Sequence, residues 1–130
     1  MKRFKLSNTE LDTMLVLWEC RAPIRASALL ERMKPTYPWS ISTLQTILSR
    51  LEEKGAVSVQ VNKRTRYFYP SVTKEEYVAQ ETGSLMERIQ GYSPVTLMAG
   101  LIRSGQIRES DFREIELLLQ QAREDSKNSK

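Results

Sequence analysis

The 130-residue sequence predicts a mainly α-helical fold that carries one small β-hairpin. Three observations predict it. Apolar residues recur at helical spacing in several separate segments. One segment, Val57-Ser58-Val59-Gln60-Val61, switches to strict alternation, the period of a half-buried strand. Proline- and glycine-bearing breaks punctuate the segments at short intervals.

In the front half, Ser7-Asn8-Thr9-Glu10 reads as a capping box, with the Ser7 hydroxyl accepting from the N–H three residues on and Glu10 reaching back. Leu11, Met14, Leu15 and Trp18 follow on one helical face that ends near Cys20, where Arg21-Ala22-Pro23 breaks it. After Ile24, the residues Ala28, Leu29 and Met33 mark a short second helix, closed by Pro35 and Pro38. A third helix starts behind Ser40 as N-cap, carries Ile41, Leu44, Ile47, Leu48 and Leu51, and ends at Gly55, a left-handed C-cap. Trp18 belongs to the first apolar stripe, and Trp39 is expected to pack at the turn before the third helix. The alternating valines then pair through a polar turn, Asn62-Lys63-Arg64-Thr65, with Arg66-Tyr67-Phe68-Tyr69, ended by Pro70.

Behind Pro70 the helical period returns. Thr73-Lys74-Glu75-Glu76 is a second capping box, and Tyr77, Glu81, Leu85 and Ile89, with Val78 and Met86, mark a long helix. Gly91-Tyr92-Ser93-Pro94 stops it and supplies the N-cap and first residue of the next, whose apolar residues are Val95, Leu97, Met98, Leu101 and Ile102. Ser104-Gly105 ends that helix. Phe112, Ile115, Leu118, Leu119 and Ala122 form a last amphipathic helix before a polar tail, Asp125 to Lys130, expected to be disordered. The reading divides the chain into residues 1–71, 72–124 and the tail 125–130.

Composition narrows the chemistry. There is one cysteine, Cys20, and no histidine. An intramolecular disulfide and a Cys/His metal cluster are excluded, as is histidine-based acid–base or nucleophilic catalysis. Cys20 reads as a small hydrophobe at a helix end. The few glycines are scattered and form no phosphate loop. No enzyme, cofactor or metal is expected. No apolar run approaches the roughly 20 residues of a membrane span, and the basic start is not followed by the apolar stretch of a signal peptide. A cytoplasmic chain with no membrane partner is the expectation.

Charge is unevenly placed. Residues 1–70 hold 12 Lys and Arg against 6 Asp and Glu, whereas 71–130 hold 8 against 10. A basic front half suits a polyanion. Three short helices followed by a hairpin, in that order, make a winged helix-turn-helix, whose third helix lies in the major groove of double-stranded DNA. That helix carries Ser40, Ser42, Thr43, Gln45, Thr46, Ser49 and Arg50 on its polar face, with no acid between Ser40 and Leu51. Short hydroxyl side chains allow close approach to phosphates and base edges, and a threonine methyl suits thymine. Ser40 and Ser42 are assigned to phosphates, Thr43 and Thr46 to base edges, and Arg50 to the DNA backbone. Lys63, Arg64 and Arg66, clustered at the hairpin tip, are assigned to flanking DNA. A solvated helix face and a solubilising strand edge remain the alternative explanations. On those, the chain would be a winged-helix protein–protein adaptor without sequence-specific DNA binding.

The apolar residues of the rear helices, Leu85, Ile89, Leu97, Leu101, Ile115, Leu118 and Leu119, exceed what a unit of this length buries alone. Pairing with a second copy satisfies them, and a dimer suits a palindromic site. Folding back onto the front domain of a monomer is the alternative.

Ser7-Asn8-Thr9-Glu10-Leu11-Asp12-Thr13-Met14 leading to Leu17-Trp18 resembles the first helix of the penicillinase-repressor family, and the run from Trp39 to Leu51 continuing through Glu52-Glu53-Lys54-Gly55-Ala56-Val57 is similar to its recognition helix entering the wing. Arg64 and the aromatic run closing at Tyr69-Pro70 stand where that wing ends. The resemblance implies a homodimeric transcriptional repressor on an operator of dyad symmetry, with N-terminal winged domains on DNA and C-terminal helices dimerising. It also implies a sensor or protease that relieves repression in antibiotic-responsive members, and a C-terminal cysteine cluster in copper-responsive ones. This sequence departs from both: it has no such cluster, and Gly100-Leu101 stands at the family's Asn-Phe cleavage bond. Ser42 also replaces a lysine common in relatives, which implies a different operator preference.

Overall fold

The computed structural model describes residues 5–21, 23–89, 91 and 93–128. The expected features at residues 1–4, Ala22, Tyr92, Ser129 and Lys130 lie outside these. Helices α1 (Asn8–Glu19), α2 (Ala26–Met33) and α3 (Ile41–Lys54) alternate with a short strand β1 (Ile24–Arg25) and are followed by β2 (Val57–Asn62) and β3 (Thr65–Pro70). Helices α4 (Lys74–Arg88), α5 (Pro94–Arg103) and α6 (Glu109–Asn128) complete the chain. Two compact units result, Met1–Gly83 and Ser84–Lys130.

Local chemistry explains the first unit's elements. The Ser7 hydroxyl accepts from the Glu10 N–H, and the Glu10 carboxylate accepts from the Ser7 N–H at 2.8 Å, so both arms of the capping box form. Ser40 caps α3 by accepting from Thr43 N–H at 3.2 Å. Gly55 ends it at φ 85°, where a Cβ would meet the following carbonyl. Thr73 and Glu76 form the second box.

The sheet is larger than a hairpin. Its order is β1-β3-β2, all antiparallel, with Ile24 opposite Phe68 and Arg25 opposite Tyr67. A two-residue strand carries no detectable alternation, so only its pairing with β3 reveals it. The expected four-residue turn is also shorter. Asn62 pairs with Thr65, leaving Lys63 and Arg64 as the whole turn. Their φ values of 50° and 68° are both left-handed, the signature of a type I′ turn.

Met14, Leu17, Leu29, Met33, Leu44, Leu48 and Leu51 are fully buried against Val57 and Phe68. Each stabilises the unit by about 1.5–3 kcal/mol relative to exposure. Two expected core positions are corrected. Leu15 is 39% exposed and Leu17 takes its place, because α1 turns Glu10, Thr13, Met14 and Leu17 inward. Ile41, in the first turn of α3, is exposed as well. Glu10 is only 2% exposed, and its carboxylate accepts from Lys54 Nζ at 2.5 Å. The same ammonium donates to the Lys5 carbonyl at 2.7 Å. These bonds tie the start of α1 to the end of α3 and so fix α3 on its support.

Trp18 packs as expected. Its indole N–H donates to the Val72 carbonyl at 2.9 Å, and its ring lies 5.8 Å from that of Tyr77. Burial pushes the Tyr77 hydroxyl up to about 12, helped by Glu81. Trp39 stacks on Tyr37 at 4.9 Å ahead of α3. Cys20 caps α1 and donates its thiol hydrogen to Val16 carbonyl, in keeping with a small hydrophobe.

In the second unit, Ser93 caps α5 with Pro94 in the first turn, and Gly105 turns the chain at φ 80°. Arg108 N–H donates to the Asp111 carboxylate at 3.0 Å as α6 begins. Residues 125–128, expected in a disordered tail, continue α6 as helix. Gln121 bonds Asp125 one turn on, and i,i+4 pairing of this kind extends a helix that composition alone marks as polar tail.

Candidate nucleic-acid interface

The core residues of α3 fall on one side, Leu44, Ile47, Leu48 and Leu51. Helical geometry therefore turns Ser42, Thr43, Gln45, Thr46, Ser49 and Arg50 away from the core, and all six are exposed. Several of their hydroxyls are engaged within the helix. Ser40 Oγ lies 3.1 Å from Ser42 Oγ and 3.0 Å from Thr43 Oγ1, besides accepting from the Thr43 N–H. Thr46 Oγ1 donates to the Ser42 carbonyl at 3.0 Å. This leaves Thr46 with its methyl and its oxygen lone pairs for a partner.

The basic hairpin divides in two. Lys63 and Arg64 form the exposed turn. Arg66 lies on β3 opposite Val61, and its Nη2 donates to Glu52 of α3 at 2.9 Å while the guanidinium sits 5.5 Å from the Phe68 ring centre. Arg66 thus fastens the wing to the helix, a role its sequence neighbours do not announce. Arg25, Ser27, Gln45, Ser49, Thr65 and Arg66 line a groove between α2, α3 and β3. Arg25 escaped the sequence reading, since nothing periodic surrounds so short a strand.

In the second unit, α5 and α6 fully bury no residue. Leu85, Ile89, Leu97 and Ile115 are half-buried; Leu101, Leu118 and Leu119 are exposed, Leu118 at 66%. Ile89, Leu97, Gly100 and Leu101 line one shallow apolar groove. The Gly100-Leu101 bond lies inside α5.

A family model described as penicillinase repressor matches residues 6–121. The chain belongs to the penicillinase repressor family. This family member is 25% identical over 117 residues to the penicillinase repressor of Bacillus licheniformis, covering 90% of the chain and 91% of that protein. Two solved structures are similar at 31% identity, each covering 59% of the chain and 94% of theirs. One is the Bacillus licheniformis BlaI monomer in complex with the blaP half-operator, with a TM-score of 0.50. The other is the DNA-binding domain of the repressor BlaI, with a TM-score of 0.52. A winged helix is the fold of this repressor-family chain's first unit. Among its described residues no helix is long and apolar enough to cross a membrane.

Proposed function

We propose that this chain is a sequence-specific transcriptional repressor that binds a palindromic operator in the cytoplasm as a homodimer. The single observation that carries the reading is the exposed face of α3, free of acids from Ser40 to Leu51 ahead of Glu52 and Glu53, backed by a buried row of Leu44, Ile47, Leu48 and Leu51 in a family of repressors. An α-helix about 10–12 Å wide with its side chains fits a major groove about 12 Å wide, and short outward side chains let its backbone come close to the base edges. Here they are mostly Ser and Thr.

In this reading the winged domain comprises residues 1–71. Ser40 and Ser42 approach phosphates at the start of α3, Thr43 and Thr46 press against base edges, and Arg50 reaches the backbone. Lys63, Arg64 and Arg66 hold the wing on flanking DNA. Residues 72–124 dimerise through Leu85, Ile89, Leu97, Leu101, Ile115, Leu118 and Leu119, whose exposure a second copy would relieve. Two copies double the phosphate contacts and select paired half-sites. A sensor or protease that releases the operator is a further part of this proposal, and Gly100-Leu101, which lacks the family's Asn-Phe pair, argues against cleavage at that bond.

Selection from a randomised duplex library, followed by gel shifts, tests the reading. Arg64→Ala is expected to weaken binding alike on all sequences, and Thr46→Ala to alter the preference among them. Steep loss of affinity with rising salt should accompany both. Binding indifferent to salt and sequence would instead favour a protein–protein adaptor.

A further inference from the structure

The groove between α2, α3 and β3 gathers hydrogen-bond donors from three elements that are far apart in sequence. Its polar lining is Arg25, Ser27, Gln45, Ser49, Thr65 and Arg66, with no carboxylate among them. The two cations differ in what they already hold. Arg66 is paired with Glu52 at 2.9 Å, so its charge is largely compensated. Arg25 is exposed and its side chain makes no hydrogen bond or ion pair among the described residues. It stands at the end of β1, where pairing with Tyr67 of β3 sets its backbone beside the wing. One guanidinium is therefore anchored and the other is uncommitted, on the same groove.

We propose that this groove seats a phosphate of the DNA backbone and that Arg25 is the cation that holds it. Arg66, held by Glu52 and Phe68, lines the same groove. The proposal rests on the DNA-binding reading above and adds to it a contact outside α3 and the wing tip. A guanidinium presents a planar fork of N–H donors that matches two phosphate oxygens, while Ser27, Gln45, Ser49 and Thr65 supply neutral donors around them. A backbone phosphate carries no base identity, so Arg25 contributes affinity without specificity.

Fluorescence-anisotropy titrations of the full chain test this on one selected palindromic duplex and one unrelated duplex, between 50 and 200 mM salt. Arg25→Gln is expected to weaken both by the same factor and to flatten the log–log salt slope by about 1.8, about 0.9 for the phosphate lost by each of the two copies. Arg25→Lys should recover most of that slope, and the melting temperature should not change, because the Arg25 side chain holds no partner and its backbone pairing with Tyr67 survives either substitution. Arg32→Gln, exposed on α2 outside the groove, should leave the slope near wild type. A wild-type slope in Arg25→Gln overturns the proposal. So does a changed base preference, or an equal flattening in Arg32→Gln, which would reduce the effect to net charge. Wild-type protein that binds neither duplex overturns the DNA-binding reading itself, a result distinct from all of these.

Discussion

Glu10 illustrates how one residue can serve two structures at once. Its carboxylate closes the capping box of α1 and also receives the Lys54 ammonium from the end of α3. Burial by itself pushes the Glu10 carboxyl up; the Lys54 and Ser7 hydrogen bonds outweigh it and hold the group below its ordinary value. The carboxyl is thus more acidic folded than unfolded. Its contribution to stability is fully present above the unfolded pKa, about 4.3, and is lost as pH falls through the folded one. Glu10→Gln should therefore remove part of the acid limb of a stability profile measured by urea unfolding. Lys54→Met should cost more at neutral pH, about 2–3 kcal/mol, since it leaves a buried carboxylate without its partner; the partial exposure of Lys54 keeps the loss at or below the low end of the buried-pair range. An unchanged midpoint in Lys54→Met would show that solvent replaces the ammonium. No spacing rule exposes this pair, because Glu10 reads as a cap and Lys54 as a helix-end cation.

At the scale of elements, the wing turn is the informative case. A type I′ turn favours Asn-Gly, yet Lys63 and Arg64 occupy it at positive φ. Each L-residue held there costs roughly 1 kcal/mol. A strained turn made of two cations is more consistent with contact to a polyanion than with strand stability. Replacing the pair by Asn-Gly should raise the melting temperature, by about 1 kcal/mol in stability, while lowering affinity for every duplex alike. A variant that gains stability and keeps its affinity would remove the wing tip from the interface. The helices themselves were largely legible in sequence. Ser7, Ser40, Thr73 and Ser93 all cap where expected, since capping is a contact over three residues. The short strand β1 was not, and neither was the tight turn, because pairing register and not composition decides both.

At the scale of the whole molecule, the second unit carries the prediction. Val95 is 75% exposed, and Leu117, Leu118 and Leu119 are each more than half exposed. A second copy is the partner proposed to cover them. Leu118→Glu, which disturbs no buried residue of its own chain, should sediment as a monomer and bind a palindromic duplex at least tenfold more weakly. Its affinity for a single half-site should stay at the wild-type monomer's level. A variant that still sediments as a dimer would exclude Leu118 from the interface.

By itself the sequence determined what depends on neighbours three or four residues apart. That includes the six helices, their caps, the strand period of Val57 to Val61, and the acid-free stretch from Ser40 to Leu51. The winged-helix class follows from their order. Tertiary structure alone decided what depends on residues distant in the chain. It brought Glu10 to Lys54, paired Arg66 with Glu52, and set Arg25 on a groove with α3 and the wing. The mainly helical fold with one small hairpin is thereby refined to three helices on a three-stranded sheet, followed by a helical unit. The physical reason is the range of the interactions. Periodicity and capping are local and leave a trace in every window, whereas an ion pair across more than 40 residues has no local signature until the core has folded.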